Sequence, residues 1–424
     1  MKPLIGPDGE AKGPPASGNN PQVDFSAYIS IGDSQTAGHS NDGLYRDGQI
    51  GSFPNIIAQQ LKAAGGGEFN QPLFDAAQAN GTGYLKMNGF QPNGLPVIGR
   101  VTDKLAVRVT ANGMTLLTKY SGNNNNFGIT GIKMADIADA NYGNKNPYYE
   151  RLLPGTPPSN ITAYRDFIIA KPYTFFTCWL GSNDLLEYAA SGGTAAMPTN
   201  KATFYGLYTS LINKLVSNGQ KGALANIVDV TYIPYFNTIT VAGILADIRK
   251  VQPTANLFIR AKVNSSITDT THTTRIATTA DLLVLNFETT KVGQMVNTSA
   301  GLRPYGLSVD APIEDKFVLD ANEVAIVQDH LNDYNNTIAT VANAHDLALF
   351  DVRGMSGLLK AGQTVDGVNI SSAYITGGVF SLDGIHLTPR GYALEANEFI
   401  RAINQKYGTT IKTVNISAYA AVLP

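Results

Sequence analysis

The chain has 424 residues, and at roughly 150 residues per domain this length suggests two or three domains. Charged residues are only 15% of it, hydrophobic residues 43%, and the formal net charge is −2. That balance excludes a disordered chain, which needs low hydrophobicity and high net charge. It also excludes a basic, phosphate-neutralising nucleic-acid binder, and no apolar run approaches the ~18 residues of a membrane helix.

The N-terminus carries no apolar stretch of signal-peptide length, and residues 2–22 are rich in Pro, Gly, Ser and Asn. Residues 1–22 read as a flexible tether, of a kind that a cytosolic protein or the mature part of an exported one can carry. Order is expected from Phe25. Ala27 to Ile31 reads as a buried first strand, and Phe53 to Ala64 as a helix stopped by Gly65-Gly66-Gly67. Residues 68–125 alternate apolar and polar positions between Gly and Asn breaks and read as a β-rich insertion. Asn123 to Asn126 read as a flexible loop.

Phe175 to Leu180 forms a second buried run. It holds the single cysteine, Cys178, so an intramolecular disulfide is impossible and a buried, inert thiol is expected. A helix is expected over Tyr205 to Val216 and a third strand over Asn226 to Ile233. Residues 237–318 form a second insertion, irregular and Thr-rich, with strand-like runs at Leu257 to Ile259 and Leu282 to Leu285. A long amphipathic helix follows, with Val324, Val327, Leu331, Tyr334, Ile338 and Val341 on one stripe. Leu347 to Val352 is the next strand. Thr388 is a good N-cap ahead of Pro389, and a last helix is expected to end at Gly408. Strands alternating with helices predict an α/β sheet covered on both faces.

In such sheets ligands bind outside the carboxyl ends of the strands. Gly32-Asp33-Ser34-Gln35 follows the first strand, Gly181-Ser182-Asn183-Asp184 follows the Phe175 run, and Asp383-Gly384-Ile385-His386 precedes the last helix. Each is a weak signal alone. Together they place a hydroxyl, an amide and an Asp/His pair on one functional edge. A serine hydroxyl needs a base to become a nucleophile. His386 suits that task, and Asp383, three residues earlier, is positioned to fix its tautomer. The Ser34 N–H and the Asn183 amide can donate to an oxyanion. His39, His272, His330 and His345 are weaker candidates for the base: His39 follows Ser34 closely, and His272 is expected in a loop. Asp33 and Asp184 read as turn-stabilising carboxylates.

These blocks, in this order, resemble the SGNH (GDSL-type) serine hydrolases, including a bacterial lipolytic subgroup with a run like Asp229 to Phe236. The resemblance implies a flavodoxin-like three-layer α/β/α sandwich with a parallel sheet. It implies a triad of Ser34, His386 and Asp383, and an oxyanion hole of Ser34, Asn183 and a glycine. That glycine is Gly131 within Phe127-Gly128-Ile129-Thr130-Gly131-Ile132, with Gly128 as the fallback. The fourth residue of the nucleophile block is Gln35 where the family name implies Leu, a position outside the triad. The resemblance further implies one hydrolase domain over residues 23–424, enlarged by insertions at about 68–125 and 237–318. Export from a bacterial cell, with a lipid anchor on the native precursor, is the implied location.

The expected activity is cleavage of carboxylic esters of small-molecule or glycan substrates, with no cofactor and no nucleic-acid partner. No His/Asp/Glu cluster has a ligand spacing such as His-Glu-x-x-His, so no metal is expected. Two rivals stay open: a carbohydrate deacetylase of the same fold, and a non-catalytic surface binding protein. The natural ester and the oligomeric state stay open as well.

Overall fold

A computed structural model describes residues 23–90, 96–111 and 113–422; the expected tether at 1–22 lies outside the described residues. Five parallel strands form the main sheet: β1 (Tyr28–Gly32), β2 (Asn126–Gly128), β3 (Phe175–Trp179), β4 (Lys221–Ala225) and β5 (Ala348–Phe350). Their spatial order is 2-1-3-4-5, the doubly wound flavodoxin-like order. The principal helices are α1 (Ser34–Ala37), α2 (Phe53–Leu61), α3 (Asn183–Ala190), α4 (Lys201–Leu215), α5 (Ala321–Ala344), α6 (Val352–Ala361) and α7 (Pro389–Tyr407).

The two covered faces follow from strand alternation. Every residue of β3 is buried, as a central parallel strand requires. Trp179 turns to one face, where its ring lies 5.7 Å from Phe53 of α2 and 6.3 Å from Phe399 of α7. Phe399 also stacks on Phe53 at 5.0 Å and meets Phe350 of β5 at 5.1 Å. Cys178 turns to the other face, within electrostatic reach of Tyr208 of α4 and of Tyr164. Burial pushes its thiol up, as an inert core cysteine should be. On that face Phe204 of α4 stacks on Tyr334 of α5 at 3.9 Å.

Two expectations are corrected. The third strand is Lys221–Ala225, while residues 226–233 leave the sheet. The β-branched Ile227, Val228 and Val230 favour a strand, but polar side chains capture the backbone. Asn335 accepts from the Ile227 N–H (2.7 Å) and donates to its carbonyl (3.0 Å), and Asp229 caps a short turn at Val230–Tyr232. Three of the strand's five residues, Gly222, Ala223 and Ala225, are small, and at Gly222 the Tyr407 hydroxyl reaches the backbone carbonyl at 2.7 Å. Asn126 is not part of a loop either. It is a buried residue of β2 whose amide donates to Thr36 (2.9 Å) and Gln71 (3.0 Å).

By its contacts the chain divides into two compact units. The first, made of the described residues within 23–183, 201–228 and 334–422, holds the main sheet. It also carries two hairpins, Tyr84–Phe90 with Pro96–Val101 and Val107–Ala111 with Met114–Leu117. The second unit, residues 184–200 and 229–333, is built on small antiparallel pairs, Phe258–Lys262 with His272–Ile276 and Leu282–Leu283 with Val318–Leu319. Its buried core includes Leu257, Ile259, Leu283, Val284 and Ile313. Among the described residues no helix is long and apolar enough to cross a membrane.

Candidate active site

Ser34 is the first residue of α1, a single turn that starts where β1 ends. Gly32 permits the abrupt turn, because a Cβ there would overlap the Thr36 side chain and the Trp179 carbonyl. Asp33 caps α1, its carboxylate accepting from the Gln35 N–H at 3.0 Å. At the other end of the chain, Thr388 caps α7 by accepting from Gly391 at 3.1 Å. That cap fixes the start of α7, and the loop just before it presents Asp383 and His386.

The loop returns to Ser34 across 352 residues. Nε2 of His386 lies 2.9 Å from the Ser34 hydroxyl oxygen, and Nδ1 of His386 lies 2.9 Å from Oδ2 of Asp383. All three groups are nearly buried, with Ser34 6% exposed and the His386 and Asp383 side chains at 14% and 9%. Asp383 also accepts the backbone N–H groups of Ile385 (2.8 Å), His386 (2.7 Å) and Asp42 (2.6 Å). Burial alone would raise its pKa, but His386 and the N–H groups of Ile385 and His386 hold the carboxyl well below the usual carboxylate range. For His386 burial favours the neutral ring, yet the Asp383 carboxylate beside it wins and raises the imidazole. The pair therefore holds an ionised carboxylate against a basic imidazole.

Gly131 sits in a four-residue turn closed by the Ile132 N–H on the Ile129 carbonyl at 3.2 Å. Its φ of +81° is the left-handed value that the third residue of a type II turn takes, which is why glycine stands there. The Asn183 side-chain amide donates to the Ile132 carbonyl at 3.1 Å, so it lies against the same turn. The fallback, Gly128, has its N–H occupied by the Asn126 side chain at 3.0 Å. Among the described residues no acceptor takes the N–H of Gly131 or of Ser34.

His39 has a larger place than its sequence position suggests. It is buried, its ring lies 4.4 Å from that of His386, and its Nδ1 lies 3.4 Å from the Thr130 hydroxyl. Burial, then the neighbouring His386, push its imidazole well below the ordinary value, so it stays neutral. No local motif announces this, since the contact depends on a loop some 350 residues away. His272 is not in a loop but opens a strand of the second unit, and His345 pairs with Asn213 at 2.7 Å. A cavity of about 940 Å³ lined by Asn70, Lys119, Asn125 and Lys171 contains none of Ser34, Asp383 and His386.

No family model and no curated protein matches the sequence. Solved structures do. A lipase/acylhydrolase from Enterococcus faecalis is 11% identical, with 91% of this chain and 98% of that one covered and a TM-score of 0.34. An alpha/beta hydrolase enzyme from the metagenome of Lake Arreo is 11% identical over 91% and 96%, with a TM-score of 0.37. An acetyl-xylooligosaccharide esterase from Geobacillus is 10% identical over 92% and 97%, with a TM-score of 0.37. The proteins of these structures are described as a lipase/acylhydrolase, an alpha/beta hydrolase and an esterase.

Proposed function

We propose that the protein is a serine esterase that cleaves carboxylic esters through an acyl-enzyme on Ser34. The observation that carries this reading is the unbroken line from Asp383 through His386 to the Ser34 hydroxyl, each link at 2.9 Å. His386 takes the Ser34 proton as the oxygen attacks the ester carbonyl, while Asp383 holds the ring and stabilises the imidazolium. The negative oxygen of the tetrahedral intermediate is received by the N–H groups of Ser34 and Gly131. The Asn183 amide adds its second N–H, the first being used on Ile132. The imidazolium then protonates the leaving alcohol, and water, deprotonated by His386, releases the acid.

A fluorophosphonate probe tests the nucleophile directly, because it labels an activated serine and not an ordinary one. One label, located on Ser34 by peptide mass, is expected. The Ser34→Ala variant should lose both the label and about 10³-fold or more in turnover of a short-chain aryl ester. An unlabelled wild-type protein, or a Ser34→Ala variant with full activity, contradicts the proposal and leaves a binding protein on the same fold.

A further inference from the structure

The second unit contains a group of side chains that the ester chemistry does not use. His272 opens the edge strand His272–Ile276, Asp315 opens a short turn at Asp315–Phe317, and Glu323 lies in the first turn of α5. One ligand atom from each lies within 4.8 Å of the other two. We propose that His272, Asp315 and Glu323 form a binding site for a single divalent transition-metal ion, of which zinc is the best fit.

The arrangement of His272 carries the argument. Its Nδ1 lies 2.9 Å from the Thr270 carbonyl, an oxygen that only accepts, so Nδ1 carries the proton. In the neutral ring Nε2 is then a bare acceptor, and it lies 3.0 Å from Oδ2 of Asp315, a second acceptor. Two acceptors face to face repel unless a metal ion lies between them or a proton bridges them, and a metal ion is the occupant proposed here. A backbone carbonyl orienting the far nitrogen of the ring is also how metal-bound histidines are usually held. Two ligand atoms bound to one ion by bonds of about 2.0–2.2 Å lie about 3.0–3.5 Å apart, from an octahedral to a tetrahedral angle.

Two buried polar atoms beside this cluster support the same reading. Oδ1 of Asp315 and the hydroxyl of Tyr188 have no hydrogen-bond partner among the described residues. Tyr188 is only 1% exposed and lies within electrostatic reach of Glu323, Asp320 and Asp315. Glu323 is held in place from behind. Its Oε2 accepts the Asp320 N–H at 3.0 Å, and Asp320 in turn caps α5 through Asn322 and Glu323. Gly193 lies against the other oxygen, where any Cβ would overlap it. One imidazole with two carboxylates suits zinc or manganese better than calcium or magnesium, which prefer all-oxygen sets. A bound ion would tie an edge strand, a turn and a helix start into one cluster. The competing arrangement is a protonated His272 paired with Asp315, with Arg260 and Lys262 nearby supplying further positive charge.

The test uses the full chain, stripped with a chelator and titrated with zinc chloride by calorimetry, with melting curves in parallel. About one equivalent is expected to bind, with a raised melting temperature and at least tenfold weaker binding in His272→Asn and in Glu323→Gln. A wild-type measurement covers the case in which those variants do not fold. Zinc should protect His272 from diethylpyrocarbonate, as read by peptide mass, whereas the protonated pair predicts modification unchanged by zinc. No zinc binding, binding unaltered by both folded variants, a preference for calcium, or an unprotected His272 each overturns the proposal.

Discussion

The backbone N–H of Asp42 donates at 2.6 Å to Oδ2 of Asp383, the oxygen that also faces Nδ1 of His386. One carboxylate oxygen thus orients the ring and ties the loop after α1 to the loop before α7. The neighbouring contacts repeat the tie. Asn41 donates its N–H to the Ser381 hydroxyl (2.9 Å), its side chain accepts the Leu382 N–H (3.0 Å), and Ser40 donates to the Leu387 carbonyl (2.8 Å). Ser34 and His386 are positioned by one stitched pair of loops.

The first prediction concerns pH. The raised His386 must be neutral to act as a base, so kcat/KM rises with pH and its midpoint lies above the ordinary histidine value of 6.5. Replacing the carboxylate in Asp383→Asn removes the charge that raises His386 but leaves the burial that lowers it. The limb should therefore move to lower pH while kcat falls on the order of 10⁴-fold. A pH–rate profile with an aryl ester reads both effects, and an unmoved limb contradicts the role given to Asp383.

Asn41 is the stitch that can be cut without touching the triad. It sits at φ +52°, and its carboxamide oxygen serves the Leu382 N–H. Asn41→Ala leaves that N–H unpaired, at a cost of about 1–3 kcal/mol, and frees the loop that carries Asp383 and His386. Denaturant unfolding should show the destabilisation. Turnover should fall further than the stability loss explains, and wild-type turnover in the folded variant rules the stitch out as a positioning device.

Why some of this was legible in the sequence and some was not follows from range. Gly32-Asp33-Ser34 and Asp383 to His386 announce themselves because a strand end, a cap and an i,i+3 pair are local. So is the Thr388-Pro389 start of α7, whose burial pattern matches its apolar stripe. By contrast β4 is too small-sided to read as a strand, and its stability comes from Phe176 and Tyr407 packed across Gly222. Asn126 looks like one more residue of an asparagine run until Thr36 and Gln71 surround its amide. His39 acquires its neighbours only when the chain closes.

His39 leads to a stability prediction with a definite sign. Its imidazole is held well below 6.5 by burial and then by His386, so the folded state takes up this proton later than the unfolded state does. Below pH 6.5 that difference costs stability, and the cost grows as pH falls toward the folded value. His39→Phe keeps a ring against His386 and removes the titration. Melting curves at pH 7.5 and 5.5 should show wild type losing more than the variant; equal losses contradict a buried neutral His39.

The aromatic cluster between β3 and α7 supports the last helix, and through its cap the loop of Asp383 and His386. Phe399 is fully buried and touches Phe53, Trp179 and Phe350. Phe399→Ala leaves a cavity that these rings cannot fill, and a loss of about 3–5 kcal/mol is expected in denaturant unfolding. Phe399→Leu, which keeps much of the volume, should lose much less; equal losses argue against cavity formation as the cause.

Asn183 separates a turn-stabilising role from a chemical one. Its amide donates to the Ile132 carbonyl, which supports the turn containing Gly131, and the second N–H is assigned to the oxyanion. Asn183→Ala is expected to lower kcat by about 10²–10³-fold with little change in KM, because the donor acts only when charge has developed on the carbonyl oxygen. Asn183→Asp is the sharper variant: it keeps the size but replaces the donating amide with a carboxylate, which would repel an oxyanion. It should be at least as slow as the alanine variant. Recovery of activity in Asn183→Asp means that filling the space against the Ile132 turn is what matters, and the oxyanion role passes to the Ser34 and Gly131 N–H groups alone.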